Sequence, residues 1–165
     1  MLLDFCKILF FYSLGGLFLN YINPDKVKNK FKYVSYYLTI IHQGFVLPYY
    51  YILNFVEDSL KISKLMCITT ICYFIVDLVT NQSQIFKDLK FLMHHLITIS
   101  LVSVGLLILN NEFKSYIVNG LFSLEFGSLW LSVTDLFPTK LNYKLRFYLY
   151  IISRTITLIF FYQCL

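Results

Sequence analysis

The sequence predicts an all-α fold, a multi-pass transmembrane helical bundle of about six spans. Of its 165 residues, 58% are hydrophobic and only 14% are charged, and the mean hydropathy is +0.68. Soluble domains carry about 25% charged residues. The apolar residues form runs long enough to cross a bilayer core of roughly 30 Å. These runs lack the alternation of a transmembrane strand, which favours helices over a barrel.

Six apolar stretches have the length of a span, and the short connections between them predict antiparallel neighbours. The expected spans are Leu3–Ile22, Val34–Phe55 with a kink at Pro48, Leu65–Thr80, Phe91–Leu109, Tyr116–Phe137 closed by Pro138, and Phe147–Leu165. Because the chain contains no alanine, the first run lacks an A-x-A cleavage site, and we interpret it as a retained span. No repeat or soluble domain boundary is visible, so 1–165 is predicted to be one membrane domain.

The basic residues predict the orientation in the membrane. The loops at 23–33, 81–90 and 138–146 hold nine Lys and Arg residues, and the opposite side holds four. The positive-inside rule places the side with nine basic residues in the cytoplasm, and it places both termini on the opposite side of the membrane. Glycosylation at Asn81-Gln82-Ser83 would contradict this orientation. We therefore interpret the net charge of +5 as a topology signal and expect no nucleic-acid partner.

The third and fourth spans carry ionisable residues, which are costly in a membrane and mark candidate sites. Asp77 precedes the connecting loop by about as many residues as His94 and His95 follow it, so antiparallel helices bring the three to one depth. A carboxylate beside an imidazole fixes its tautomer and raises its basicity, as proton transfer or nucleophilic attack requires. Polar contact between spans is the structural alternative, because adjacent histidines point about 100° apart on a helix.

Three further polar residues lie inside predicted spans. His42 and Arg154 each lie about eight residues from the cytoplasmic side, and Glu125 falls near the middle of the fifth span. Pairing between Arg154 and Glu125 would lower the cost of both charges. Such a pair fits a lipid-binding site and a purely structural contact equally well. Asp135 lies at a span end, where we expect it to be solvated.

Metal and cofactor sites are not expected. The chain has three histidines, fewer than the clustered boxes of membrane di-iron enzymes need, and its four cysteines are dispersed without a CxxC motif. Neither a Walker loop nor a G-x-S-x-G, Rossmann or H-E-x-x-H motif occurs.

Several of these residues occur in an order that resembles the TLC domain, the membrane domain shared by TRAM, Lag and CLN proteins. The main matches are Tyr73-Phe74-Ile75-Val76-Asp77, Lys87-Asp88 and Met93-His94-His95-Leu96-Ile97-Thr98. Softer matches are Val34-Ser35 with His42, Leu124-Glu125 with Ser128-Leu129, and Arg154. The chain lacks the His-Asp pair that ceramide synthases carry after the His pair, and it ends after the sixth segment. It therefore resembles the small TLC-domain-only members more than ceramide synthases, and the family's last span is expected to be missing or supplied by another chain.

The resemblance implies a protein of the endoplasmic reticulum or a related endomembrane that acts in lipid homeostasis, by sensing, binding or trafficking membrane lipids. His94, His95 and Asp77 would form the reactive centre, and His42, Glu125 and Arg154 would contact lipid. One alternative is a ceramide-synthase-like N-acyltransferase, in which His94 or His95 takes the acyl group from acyl-CoA and Asp77 orients the ring. A membrane scaffold without lipid chemistry is the other alternative. The sequence is compatible with an oligomer and does not define the oligomeric state.

Overall fold

The computed structural model describes residues 2–22, 30–80 and 89–163, and within them every regular element is helical. The all-α prediction is confirmed, and each expected span overlaps a helix. The elements are α1 (Leu2–Ile22), α2 (Lys30–Ile41), a π-helical segment (His42–Val46), α3 (Leu47–Glu57), α4 (Leu60–Thr80), α5 (Leu89–Ile108), α6 (Lys114–Leu136) and α7 (Lys140–Tyr162). The sequon at Asn81, the Lys87-Asp88 match and Cys164 lie outside the described residues.

The expected kink at Pro48 takes the form of the π-helical segment. Proline has no N–H, and its ring clashes with the carbonyl four residues earlier. The chain avoids this clash by widening the helix before Pro48, and the N–H of Leu47 donates to the carbonyl of His42, five residues back. α2, the π segment and α3 therefore form one continuous rod from residue 30 to 57. The widened turn also holds His42 and Gln43 in the bundle interior.

Two helices, α4 and α7, begin five or more residues before their apolar runs. α4 begins at Leu60, where its first turn is tied to α3 by a 2.5 Å hydrogen bond from Ser63 Oγ to Asn54 Oδ1. α7 begins at Lys140, because the side chain of Thr139 caps it by accepting from the N–H of Asn142 at 3.1 Å. The apolar run indicates which part of a helix is hydrophobic. Polar contacts near the end of the helix, such as these two, determine where it begins.

Three helices identify the chain as a membrane protein by their length and composition. Among the described residues, α4, α6 and α7 are each long and apolar enough to cross a bilayer, and α5 carries a shorter apolar stretch, Leu92–Ile108. α4 is the most buried of the three and α7 the least. Many large apolar side chains of α7 are therefore exposed on the surface of the bundle.

α4 is the central helix of the bundle and packs against α1, α2, α3, α5 and α6. Its cysteines, Cys67 and Cys72, are buried free thiols, as expected for small apolar side chains. α6 and α7 form a close antiparallel hairpin, and the contact depends on Gly127, where a Cβ atom would overlap the side chain of Ser153. This arrangement leaves α5 and α7 as the two walls of a groove whose floor is α6.

Candidate functional site

The first part of the site is a buried carboxylate–imidazole pair between α4 and α5. Nε2 of His95 lies 2.8 Å from Oδ2 of Asp77, and both residues are 3% exposed. Ser35 on α2 donates from Oγ to the other carboxylate oxygen at 2.6 Å. The predicted juxtaposition of Asp77 with the histidine pair is therefore present, and it links three helices.

The two adjacent histidines point in different directions, as their helical spacing requires. His95 faces Asp77 inside the bundle. His94 is only partly buried, and its ring makes edge-to-face contacts with Phe74 and His95 at centroid distances of 5.6 and 5.8 Å. His94 also lines a cavity of about 620 Å³ beside α7. In this geometry Asp77 orients only His95, and the histidine that reaches open space is His94.

A polar row runs along the inner face of α2 and into the π segment. Its members lie one helical turn apart in sequence, and each finds a polar or aromatic partner across the bundle. Thr39 Oγ1 lies 2.6 Å from Tyr73 Oη, and the ring of His42 stacks on Tyr73 at 4.3 Å and 10°. Nδ1 of His42 lies 2.5 Å from Tyr12 Oη, while its Nε2 is buried and has no hydrogen-bond partner within residues 2–22, 30–80 and 89–163. His42 is thus a fully buried core residue and lines none of the described cavities.

Glu125 is also fully buried, and its partner is an amide. Nε2 of Gln43 donates to Oε2 of Glu125 at 2.6 Å. Oε1 of Gln43 and Oε1 of Glu125 have no hydrogen-bond partner among the described residues. The ion pair with Arg154 that the sequence allowed does not form. Arg154 instead donates to the carbonyl oxygen of Leu124 at 2.6 Å and to Ser128 Oγ at 2.8 Å. Glu125 points into the bundle towards the π segment, whereas Arg154 approaches α6 from outside.

Arg154 and His94 lie on opposite sides of the 620 Å³ cavity. The α7 wall carries a single helical face of polar and aromatic residues, and the floor is Leu131 of α6. The α7 residues on this wall are Tyr143, Arg146, Phe147, Tyr150, Ile151 and Arg154. Arg146 contacts Asp135 at 3.5 Å, and Asp135 also accepts from Tyr36 Oη at 2.5 Å. Asp135 was expected to be solvated, and it is exposed but paired on both oxygens.

A second, apolar cavity of about 840 Å³ lies further along α5, α6 and α7. On α5 it is lined by Leu101, Val104, Gly105 and Ile108, which share one helical face with His94. On α7 it begins at Thr155, one residue beyond Arg154. The two cavities follow one another along α5 and α7 without sharing a lining residue. We call this stretch between the two helices the α5–α7 groove, and it has a cationic end and an apolar end.

The sequence located part of this site and missed the rest. Of the three predicted lipid contacts, Arg154 lines the groove, whereas His42 and Glu125 are buried in the core. Arg146 was counted only as a loop charge, although its spacing of eight residues from Arg154 places both on one face. No three His, Cys, Asp or Glu side chains within the described ranges are arranged to hold a metal ion.

The comparisons with known proteins find no match: no family model, curated protein or solved structure matches this chain. The resemblance to the TLC domain stays a prediction based on the residues quoted above. Any proposal about function depends on the geometry of the groove and of the Asp77–His95 pair.

Proposed function

We propose that this chain is a multi-pass membrane protein that binds a lipid in the α5–α7 groove and acts in membrane lipid homeostasis. The six helical rods would each cross the bilayer, as the apolar stretches predict. The endoplasmic reticulum or a related endomembrane is the proposed location, on the basis of the TLC resemblance.

The supporting observation is the shape and chemistry of the groove. Its polar end carries His94 and Arg154, and its apolar end continues between α5 and α7. A membrane lipid has the same division into a polar headgroup and an apolar chain. α7 is the least buried of the three spanning helices, so a lipid would reach the groove sideways from the bilayer.

Native mass spectrometry of the purified chain tests lipid binding. We expect lipid to co-purify with the wild type at one molecule per chain. Val104→Trp should reduce this lipid strongly, because Val104 lines the apolar end of the groove. Val56→Trp is the matched control, because Val56 is 72% exposed and lines none of the described cavities. Equal lipid occupancy in both variants would contradict the proposal.

N-acyl transfer is the second candidate, and the placement of His94 at the cavity favours it. In this proposal the imidazole of His94 attacks the thioester carbon of acyl-CoA, the C–S bond breaks and CoA leaves as the thiolate. An amine then attacks the acyl-imidazole, the bond to His94 breaks, and the proton lost by the amine passes to the thiolate. His95 and Asp77 would hold the helix that carries His94 and would not touch the substrate.

An assay with labelled acyl-CoA and a panel of amine acceptors in nanodiscs tests this candidate. Turnover by the wild type that His94→Ala abolishes, with the fold retained, would support it. Ser100→Ala is the control, because Ser100 is an exposed residue of the same helix and lines none of the described cavities. Absence of turnover in a folded wild type that still binds lipid would exclude acyl transfer and leave lipid binding intact.

A further inference from the structure

Arg154 is a positive charge that forms no ion pair with an acidic side chain in the part of the chain that the structure describes. No carboxylate of the described residues lies within 4 Å of its guanidinium, and both of its hydrogen bonds go to neutral oxygens. An ionised residue inside a membrane span is costly unless it is paired. The position therefore favours an anion supplied from outside the chain.

The guanidinium has the hydrogen-bonding capacity to bind such an anion. Arginine offers five N–H donors, and two of its nitrogens, Nη1 and Nη2, each donate one bond to α6. The guanidinium lies 4.3 Å from the ring centroid of Tyr150, which helps to fix its position. Three of the five N–H donors make no hydrogen bond within the described residues, and Arg154 lines the cavity. A guanidinium with free donors suits a phosphate group.

Arg146 supplies a second cation on the same wall. It lies two turns before Arg154, about 12 Å along the helix, and lines the same cavity. Its contact with Asp135 is 3.5 Å and partly exposed, which makes it a weak competitor for a ligand. With His94 opposite, the polar end of the groove presents two arginines and an imidazole.

The apolar end indicates what the anion is attached to. The helical face of α7 that carries Arg154 continues into Thr155, Leu158 and Ile159, which line the 840 Å³ cavity. An acyl chain placed there would begin beside Arg154 and run between α5 and α7. A soluble anion would leave this apolar part of the groove unused.

We propose that the α5–α7 groove binds one anionic phospholipid, with its phosphate between Arg146 and Arg154 and an acyl chain in the apolar end. This inference rests on the proposed lipid binding and adds the headgroup class to it. A phospholipid fits better than acyl-CoA, because the arginines are flanked by Phe147 and Ile151 on a helix with little burial. A large nucleotide would need a wide polar surface there.

Native mass spectrometry with lipids of matched acyl chains tests the headgroup class. The delipidated full chain is titrated with phosphatidylglycerol, phosphatidylcholine, palmitoyl-CoA and inorganic phosphate. We expect phosphatidylglycerol to bind about ten-fold or more tightly than phosphatidylcholine. Both lipids carry the phosphate, but the trimethylammonium group of choline would lie close to the two arginines and oppose binding. Arg146→Gln should remove most of this preference. Lys144→Gln should not, because Lys144 is an exposed cation of α7 that lines none of the described cavities.

The outcomes separate this inference from the proposed function. Equal binding of phosphatidylglycerol and phosphatidylcholine would overturn the headgroup assignment and leave lipid binding intact. Tighter binding of palmitoyl-CoA, or displacement of lipid by inorganic phosphate alone, would also overturn it. Absence of bound lipid in every arm would overturn both proposals. Arg154→Gln is a second variant. If this variant unfolds because it loses the contacts of Arg154 with α6, Arg146→Gln still provides the test.

Discussion

Oδ2 of Asp77 lies 2.8 Å from Nε2 of His95, although the two residues are 18 positions apart and belong to different helices. Both are almost fully buried. The contact attaches α5 to the central helix at the depth where the groove has its cationic end. It therefore positions His94, the neighbour that lines the cavity, without touching a ligand itself.

A double-mutant cycle tests this structural role. Asp77→Asn should destabilise the fold by about 3 kcal/mol, because His95 would then be buried without the carboxylate that it contacts. Once His95→Gln is present, the same change should cost less, with a coupling of about 1–3 kcal/mol. Equilibrium unfolding in detergent micelles measures both values. Additive effects would contradict the structural role.

Tyr12→Phe should destabilise the protein by about 1–2 kcal/mol, because it leaves Nδ1 of the buried His42 without its partner. Tyr21→Phe is the control on the same helix, since Tyr21 is 88% exposed. Thermal unfolding of the two variants in one detergent gives the comparison. A similar midpoint for both would show that the contact contributes nothing.

Glu125→Gln should stabilise the protein by about 1 kcal/mol. The buried carboxylate has no cationic partner within 4 Å among the described residues, and a neutral amide of the same shape avoids the cost of desolvation. Lipid binding should be unchanged, because Glu125 lines none of the described cavities. Glu57→Gln, at an exposed position, is the control. A fall in the unfolding midpoint relative to that control would contradict this prediction.

Gly127→Leu should destabilise the protein by about 3 kcal/mol or more, because the new side chain would overlap Ser153 where α6 and α7 meet. Gly15→Leu is the matched change at a site with no neighbouring atom within 4 Å. Unfolding in detergent should show a large loss for the first variant and a small one for the second. Equal losses would mean that the close approach of the hairpin is not needed.

The predicted orientation is tested by cysteine labelling in sealed microsomes, in a chain that carries Cys6→Ser and Cys164→Ser. Lys140→Cys should react with a membrane-impermeant maleimide before permeabilisation, because its loop is predicted to be cytoplasmic. Asn111→Cys should react only afterwards. The reverse pattern, or glycosylation at Asn81, would contradict the orientation.

The histidine pair shows how much of the site could be predicted from the sequence. Residue spacing around the loop predicted that Asp77 would meet the histidines, because antiparallel helices of known rise bring such positions to one depth. Spacing alone did not decide which histidine would be paired. The rotation of α5 decides that, and it turns His95 inwards and His94 towards α7.

Arg154 shows what the sequence left open. Arg154 and Glu125 lie at compatible depths and could have paired, but depth says nothing about the side of a helix that a residue faces. Gln43, held inward by the π segment, occupies the position next to Glu125. Arg154 is left on the outer helix beside the groove.

The sequence by itself determined the helical class, the approximate spans and the candidate polar residues, because hydrophobicity and helical periodicity are local properties of the chain. The tertiary structure alone decided which polar groups meet, where the groove opens and that Arg154 has no carboxylate within 4 Å among the described residues. Those features depend on the rotation of each helix about its axis and on close contacts such as that of Gly127 with Ser153. Such rotations result from packing across the whole bundle, and no single stretch of sequence contains them.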